Sequence, residues 1–371
     1  MSLLFEPLTL GTLRLPNRII VAPMCQYSAQ DGSAPDWHTI HLGHLALSGA
    51  GMLITEATAV SPAGRISPQD LGLYSDANEK ALGRVMAAIR AHSAIPMATQ
   101  LAHAGRKGSS RAPWQGGAQI APDAPDGWTT EAPSAVPHAP GEHAPRALDA
   151  VGLVAVRDAF ATAATRASRV GFDGIELHFA HGYLLHQFLS PIANKREDEY
   201  GGSLQNRMRF PLEVFEAVRA AFPAERPVWV RVSATDWVDG GWDVESTIAL
   251  ADALKARGCA AIHVSSGGVA YNQAIKIGPG YQVGFAAQVK AAVGLPTIAV
   301  GLITEPTQAE AVLAEGKADV VALARAMLWN PRWPWHAAAQ LGAKVAGPPQ
   351  YWRSTPHGVK DLFEGQAHGQ R

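Results

Sequence analysis

Cysteine is scarce in this chain: two occur in 371 residues, Cys25 and Cys259. They lie far apart and lack metal-ligand spacing, which argues against a disulfide framework or a structural zinc centre and fits a reducing cytoplasm. An excess of charge is lacking too. With 31 Lys and Arg against 32 Asp and Glu, the formal net charge is −1, so no overall field draws the chain to nucleic acid or an anionic membrane. No apolar run reaches the roughly 20 residues that cross a bilayer, and the N-terminus has no basic-then-apolar leader pattern. The expectation is a soluble cytoplasmic protein that acts on small molecules. Internal repeats are lacking as well.

What the chain does have is alternation. Short hydrophobic runs predict strands at 18–22, 51–57, 96–101, 174–178, 228–233, 261–265, 297–300 and 320–323. Between them, amphipathic stretches such as 78–91, 151–170, 207–221, 244–257, 283–293 and 307–314 predict helices. Continuous apolar strands belong to a parallel sheet covered on both faces. Eight such strands with helices between them predict an α/β fold, a (β/α)8 TIM barrel; a 371-residue chain fits one such domain with insertions. The rival is an open doubly wound sheet, but no Gly-x-Gly-x-x-Gly turn follows the first strand.

Two regions depart from this alternation. Residues 112–146 carry seven prolines and four glycines without apolar periodicity, within a longer stretch, 103–147, that predicts a cap over the third strand. From about residue 330 to the end runs a C-terminal extension with Trp333, Trp335 and Trp352, preceded by Trp329. So much aromatic surface outside the barrel needs something to pack on, and a neighbouring subunit is one candidate.

Barrel enzymes carry their chemistry at the C-terminal ends of the strands. Those ends bring Pro23-Met24-Cys25-Gln26-Tyr27, Gln100, His178 with His181 and Tyr183, Arg231, Gly301, and Ala324-Arg325 to one mouth. Taken singly, several have plain readings: Cys25 as a small buried apolar group, His178 as a satisfied core histidine, Tyr183 as an amphipathic rim residue. The pair His178/His181 suits a metal, but no carboxylate or third histidine completes a ligand set. Arg231 resists a plain reading. A guanidinium stays charged, and burying it unpaired costs several kcal/mol, so it calls for an anionic or electron-rich partner. Gly301 and Arg325 follow strands seven and eight, where barrels hold phosphate. A flavin-free barrel lyase or hydrolase using His178, His181 and Arg231 as metal or substrate ligands is the alternative reading.

Together these residues resemble the Old Yellow Enzyme family of FMN-dependent ene-reductases, in its thermophilic-like branch that includes xenobiotic reductases. The resemblance runs from Leu4-Phe5-Glu6-Pro7 to about Tyr351-Trp352-Arg353. Its most specific parts are Arg18 to Tyr27, Glu56-Ala57 with Gly64-Arg65-Ile66, His103-Ala104-Gly105-Arg106-Lys107, and Gly171 to Arg209 with His-x-x-His-Gly-Tyr and Tyr200-Gly201-Gly202-Ser203. The related dienoyl-CoA reductases and amine dehydrogenases carry iron–sulfur cysteines and further domains, which this chain lacks.

The resemblance implies a non-covalent FMN across the barrel mouth, reduced by NADPH or NADH. Pro23, Met24, Cys25 and Ala57 would lie along its ring, Gln100 at the pyrimidine edge, and Arg231 at the N1/C2 carbonyl region. Ser266, Gly267, Gly268 and Gly301 would hold the phosphate with Arg325. Ala324 departs from the glycine common in the family at that place, which puts close backbone approach there in doubt. His178 and His181 would grip the oxygen of an activated alkene, Tyr183 would protonate its carbon, Cys25 would tune the flavin, and Tyr27 would help to hold the substrate oxygen. Arg353 would enter the active site of a neighbouring subunit in a homodimer or homotetramer, and no metal is implied.

Overall fold

In this computed structural model, which describes residues 2–366, the eight predicted strands close into a parallel barrel. In chain order they are β1 (Ile19–Val21), β2 (Met52–Ala59), β3 (Met97–Ala102), β4 (Gly174–Phe179), β5 (Val228–Ser233), β6 (Ile262–Ser265), β7 (Thr297–Val300) and β8 (Val320–Leu323), and β8 pairs back onto β1. Every residue of these strands is buried. Barrel interior and helical layer therefore both favour apolar side chains, which is why the strands read as hydrophobic runs broken only at a few buried polar residues such as Glu56, Gln100, Glu176, His178, Arg231 and His263.

The outer layer is α1 (Asp36–Ala46), α2 (Asp76–Arg90), α3 (Ala150–Val170), α4 (Leu184–Leu189), α5 (Leu204–Ala221), α6 (Val244–Lys255), α7 (Val283–Val293), α8 (Pro306–Ala314), α9 (Arg325–Trp329) and α10 (Trp333–Leu341). Four of them start on a side-chain cap: Ser75, Asp149, Ser203 and Asp243 each accept a backbone N–H two positions into the helix. A hairpin, Leu8–Leu10 with Leu13–Leu15, turns at Gly11. A Cβ at Gly11 would touch Pro227 and Ala260, the residues leading into β5 and β6, so the hairpin lies across the N-terminal end of the barrel and leaves the other end open.

Beyond β3 the predicted cap is built from 3-10 turns at Gly105–Lys107 and Pro113–Gln115 and a two-stranded sheet pairing Glu131–Ala132 with Arg146–Ala147. The C-terminal extension folds back on its own chain. Trp335 is buried and packs edge-on against Phe363 at 4.9 Å, beside Val345 and Leu362, while Trp333 joins the main core. Much of the tail's aromatic surface thus packs on its own chain, the alternative to the neighbouring subunit named as a candidate. Tyr351 at 44% and Trp329, just ahead of the tail, at 92% stay exposed.

Candidate active site

One strand irregularity organises the mouth. The β2–β3 register shifts between Thr55 and Ala57, so Ala57 lies opposite Gln100 and Glu56 is the extra residue. Bulges re-aim side chains, and here Glu56 accepts from the Gln26 backbone N–H (2.9 Å) and pairs with the buried His38 (2.8 Å). That anchor fixes the Pro23–Tyr27 segment after β1. Tyr27 itself stands at φ +50°, a left-handed conformation that a non-glycine residue adopts only when its surroundings enforce it.

Inside the barrel, Glu176 of β4 is fully buried and accepts three hydrogen bonds at 2.7 Å, from Gln100 Nε2, Trp229 Nε1 and His263 Nδ1. Burial raises its pKa, but His263 and these donors outweigh it and bring the carboxyl down to about 2. A carboxylate only accepts, so the Gln100 NH2 group must face it and the Gln100 carbonyl is left to accept elsewhere. Next in register, His178 sits opposite Arg231 of β5. Arg231 is only 7% exposed, its Nε has no hydrogen-bond partner among the described residues, and no carboxylate lies within 4.0 Å of it. Burial lowers its pKa while the more distant Glu176 raises it.

Beyond β4 the chain turns sharply, with His181 at φ +60° and Gly182 at φ +75°. A Cβ on Gly182 would come within 2.1 Å of the Gly268 carbonyl, so only glycine fits. The turn is held from below: the Gly182 N–H donates to His186 Nδ1 (2.9 Å), His186 pairs with buried Asp236 (2.9 Å), and Gln187 donates to the Gly182 carbonyl (2.7 Å). It is held from above by Lys107, whose ammonium bonds the His181 carbonyl at 2.8 Å and the Gly268 carbonyl at 3.0 Å.

This turn brings the three expected residues together. His178 Nε2 and His181 Nδ1 are 3.3 Å apart, and the Tyr183 ring stands edge-on to His178 at 4.9 Å. The Ala180 N–H donates to His178 Nδ1, which leaves the His178 proton on Nε2. His181 Nε2 meets the Ser265 hydroxyl at 2.7 Å. Burial, then the charge of Arg231, pushes both histidines well below the ordinary imidazole range, so both are neutral at pH 7. Burial drives Tyr183 and Cys25 upward; Tyr183 keeps its phenol proton and Cys25 is a thiol, not a thiolate. Tyr27 is raised by burial and by the nearby Cys25, and all five groups feel Asp70 or Arg231, as residues around one mouth should.

A cleft at the ends of β5 to β8 is lined by Arg231, Ser265, Gln282, Gly301, Ala324 and Arg325, with His181 at its edge. Gly301 has φ +119°, and a Cβ there would fall 2.5 Å from the Gln282 amide. Ala324 has φ −105° and ψ −87°, so its backbone makes no left-handed demand, and its methyl group is no obstacle on that account. Ser266 reaches the same cluster through Gln282 (2.7 Å), whereas Gly267 and Gly268 do not line the cleft, and the Gly268 carbonyl accepts from Lys107 of the cap at 3.0 Å. Arg353 is exposed on the 3-10 turn Pro349–Ser354 and lines none of it. Among the described residues no group of three His, Cys, Asp or Glu side chains could hold a metal, and no helix is long and apolar enough to cross a membrane.

Sequence reasoning gave no role to Glu176, Ser265, Gln282 or Tyr281, which lines the same cleft, nor to Lys107, although its motif was among the matching stretches. Glu176 was visible as a lone charge inside an apolar strand. The others lie at a strand end or in loops, where no periodicity marks a direction.

An unpaired cation buried in a barrel mouth, a glutamine whose carbonyl is free to accept, and a cleft that runs past Gly301 to Arg325 suit a flavin mononucleotide: its N3–H donates, its reduced ring carries negative charge, and its phosphate seeks cations. Fold and site together define a flavin-binding α/β-barrel oxidoreductase. Residues 3–344 match the NADH:flavin oxidoreductase / NADH oxidase family, and the chain belongs to that family, the Old Yellow Enzymes. It is 42% identical to the NADPH dehydrogenase of Geobacillus thermodenitrificans over 354 residues, 95% of this chain and 98% of that protein. With an NADH:flavin oxidoreductase of Gibberella zeae it shares 44% identity over 358 residues, 92% of this chain and 86% of the other. Morphinone reductase superimposes with a TM-score of 0.77 at 32% identity, covering 98% and 94% of the two chains. A morphinone reductase complex with tetrahydroNAD gives 0.76 at 30% identity over 99% of each. The chain is thus an FMN-dependent NAD(P)H oxidoreductase, and the flavin-free alternative falls.

Proposed function

We propose that this oxidoreductase reduces the C=C bond of alkenes conjugated to a carbonyl or nitro group. The observation that carries the reading is the convergence of His178 Nε2 and His181 Nδ1, 3.3 Å apart, beside Tyr183. Bound FMN supplies the two-electron relay between the nicotinamide and the alkene. The chain supplies the rest. A substrate oxygen seated between the two imidazoles accepts a hydrogen bond from each, which stabilises the negative charge that grows on it as the β-carbon is reduced. His178 already carries its proton on Nε2. In the free site the His178 Nε2–H faces His181 Nδ1 and the Ser265 hydroxyl donates to Gln282, so for His181 to donate, its proton must move to Nδ1 and the Ser265 hydroxyl must turn from Gln282 to Nε2.

Tyr183 then delivers a proton to the α-carbon. Its raised pKa keeps that proton in place at neutral pH, and a phenol is still far more acidic than the C–H bond being formed. Lys107, 5.3 Å above the ring, favours the phenolate left behind. Arg231 opposes negative charge on the reduced flavin, with Gln100 at the pyrimidine edge and Pro23, Met24, Cys25 and Ala57 along the ring. Gly301, Ala324 and Arg325 hold the phosphate end, with Ser266 behind them through Gln282. Cys25 tunes the flavin as a neutral thiol, and Tyr27 helps to hold the substrate oxygen. In the same reading the chain forms homodimers or homotetramers in which Arg353 reaches a neighbour's site; its exposure, and that of Trp329 on α9, supports this. The test is optical: the yellow protein should bleach with NAD(P)H and recover its colour anaerobically with an enone or nitroalkene. Recovery with oxygen alone would reject alkene reduction.

A further inference from the structure

The mouth has a second compartment that the account above leaves unused. Between the cap and the loop after β6 lies a cavity of about 410 Å³, lined by Arg106, Lys107, Gln119, His138, Glu142 and Gln273 among others. Arg106 and Lys107 are adjacent cations with no carboxylate within 4.0 Å among the described residues. Arg106 spends its Nη protons on the carbonyls of Val136, Pro137 and Val269, and its buried Nε has no partner. Lys107 gives two of its three protons to carbonyls, which leaves one free. Burial lowers Arg106 to about 10, and burial with the charge of Arg106 lowers Lys107 to about 8, against the opposing pull of Glu142 on both.

The two glutamines add to this. Gln119 accepts the His143 N–H at 2.8 Å and Gln273 accepts the Gly268 N–H at 2.6 Å. Each carbonyl already holds one N–H, and each side-chain amide has N–H groups free to donate into the cavity. His138, pushed to about 4 by burial and by Lys107, is neutral. Glu142 is the one acid in the lining, held by the Ala139 N–H at 3.2 Å and not ion-paired to either cation. Donors and cations thus outnumber acceptors in a cavity one side chain away from Tyr183, since Lys107 stands over that ring.

We infer that this cavity binds a phosphate of the nicotinamide dinucleotide reductant. A nicotinamide ring and its first phosphate are separated by one sugar, so a reductant whose ring enters the mouth needs an anion site about that far off, and this compartment is the cationic one on the cap side. The inference rests on the nicotinamide reductant and not on the alkene chemistry, so either can fail alone.

The test is calorimetric, on the FMN-loaded full-length protein, with tetrahydroNADP, which cannot release hydride, against an uncharged N-benzyl tetrahydronicotinamide. Two conservative variants keep the local backbone bonds: Gln119→Glu still accepts from His143, and Glu142→Gln still accepts from Ala139. Gln119→Glu should weaken tetrahydroNADP relative to the benzyl compound by about fivefold, and Glu142→Gln should strengthen it by about threefold, both effects shrinking in high salt. Inorganic pyrophosphate should compete with tetrahydroNADP. An unchanged ratio of the two affinities in both variants would overturn the assignment. So would pyrophosphate that binds without displacing the dinucleotide, because the cavity would then hold a free anion instead of the reductant.

Discussion

Arg231 keeps a permanent positive charge at 7% exposure with no carboxylate of the described residues within 4.0 Å, and at the scale of single residues this is the clearest mark of what the barrel holds. A charge-assisted hydrogen bond contributes about 1.5–3 kcal/mol. Arg231→Lys keeps the charge but loses the planar fork, so FMN should bind roughly tenfold more weakly and its midpoint potential should fall, measured by flavin titration and by equilibration with a redox dye. An unchanged potential would remove Arg231 from that role. The residues of the site were unevenly legible. His178, His181, Tyr183 and Arg231 announced themselves because polar groups at strand ends conflict with packing. Lys107, Tyr281 and Gln282 did not, because a polar residue in a loop conflicts with nothing until the fold shows what it faces.

At the scale of elements, all eight strands could be read because burial on both faces writes the same apolar run each time. What the runs concealed was the bulge at Glu56, since an extra residue in a ladder leaves no trace in hydrophobicity, yet it puts Ala57 opposite Gln100 and turns Glu56 toward His38. The hairpin at Gly11 and the six-residue α4 were equally silent; both are too short to show a period. The loop after β7 carries its own prediction. Gly301→Ala would place a methyl group 2.5 Å from the Gln282 amide at φ +119°, a conformation costing of order 1–3 kcal/mol for a non-glycine residue. FMN affinity should drop about 10- to 100-fold, read by fluorescence recovery of released flavin, with little change in the circular dichroism of the barrel.

At the scale of the molecule, the fold encloses five histidines whose pKa values are lowered chiefly by burial: His178, His181 and His263 in the barrel mouth, and His41 and His138, both at about 4, outside it. Below the ordinary imidazole value of 6.5 the unfolded chain takes up protons that the folded chain refuses, so stability falls as pH drops from 6.5 toward 4. Asp70, raised to about 7 by burial, works the other way between 3.8 and 7, because there the folded carboxyl is the form that binds the proton. Glu213, also raised by burial, joins it, but five imidazoles outweigh two carboxyls: the melting temperature of the flavin-free protein should decline on acidification from pH 6.5 to pH 4.5, and a flat or rising profile would show that these imidazoles are accessible to solvent. The cap and tail, by contrast, could be located in the sequence but not shaped. Proline-rich and tryptophan-rich segments reveal that they must pack, and only the structure shows that Trp335 packs on Phe363 of its own chain.

The division of labour between His178/His181 and Tyr183 is tested most directly by rapid-mixing kinetics on Tyr183→Phe, with the two half-reactions followed separately through the flavin absorbance. The account predicts that reduction by NADPH stays within about threefold of the parent rate, while reoxidation by an enone slows by roughly 100-fold or more, in the range expected for loss of a general acid. Equal slowing of both half-reactions, or reoxidation at the parent rate, would contradict it.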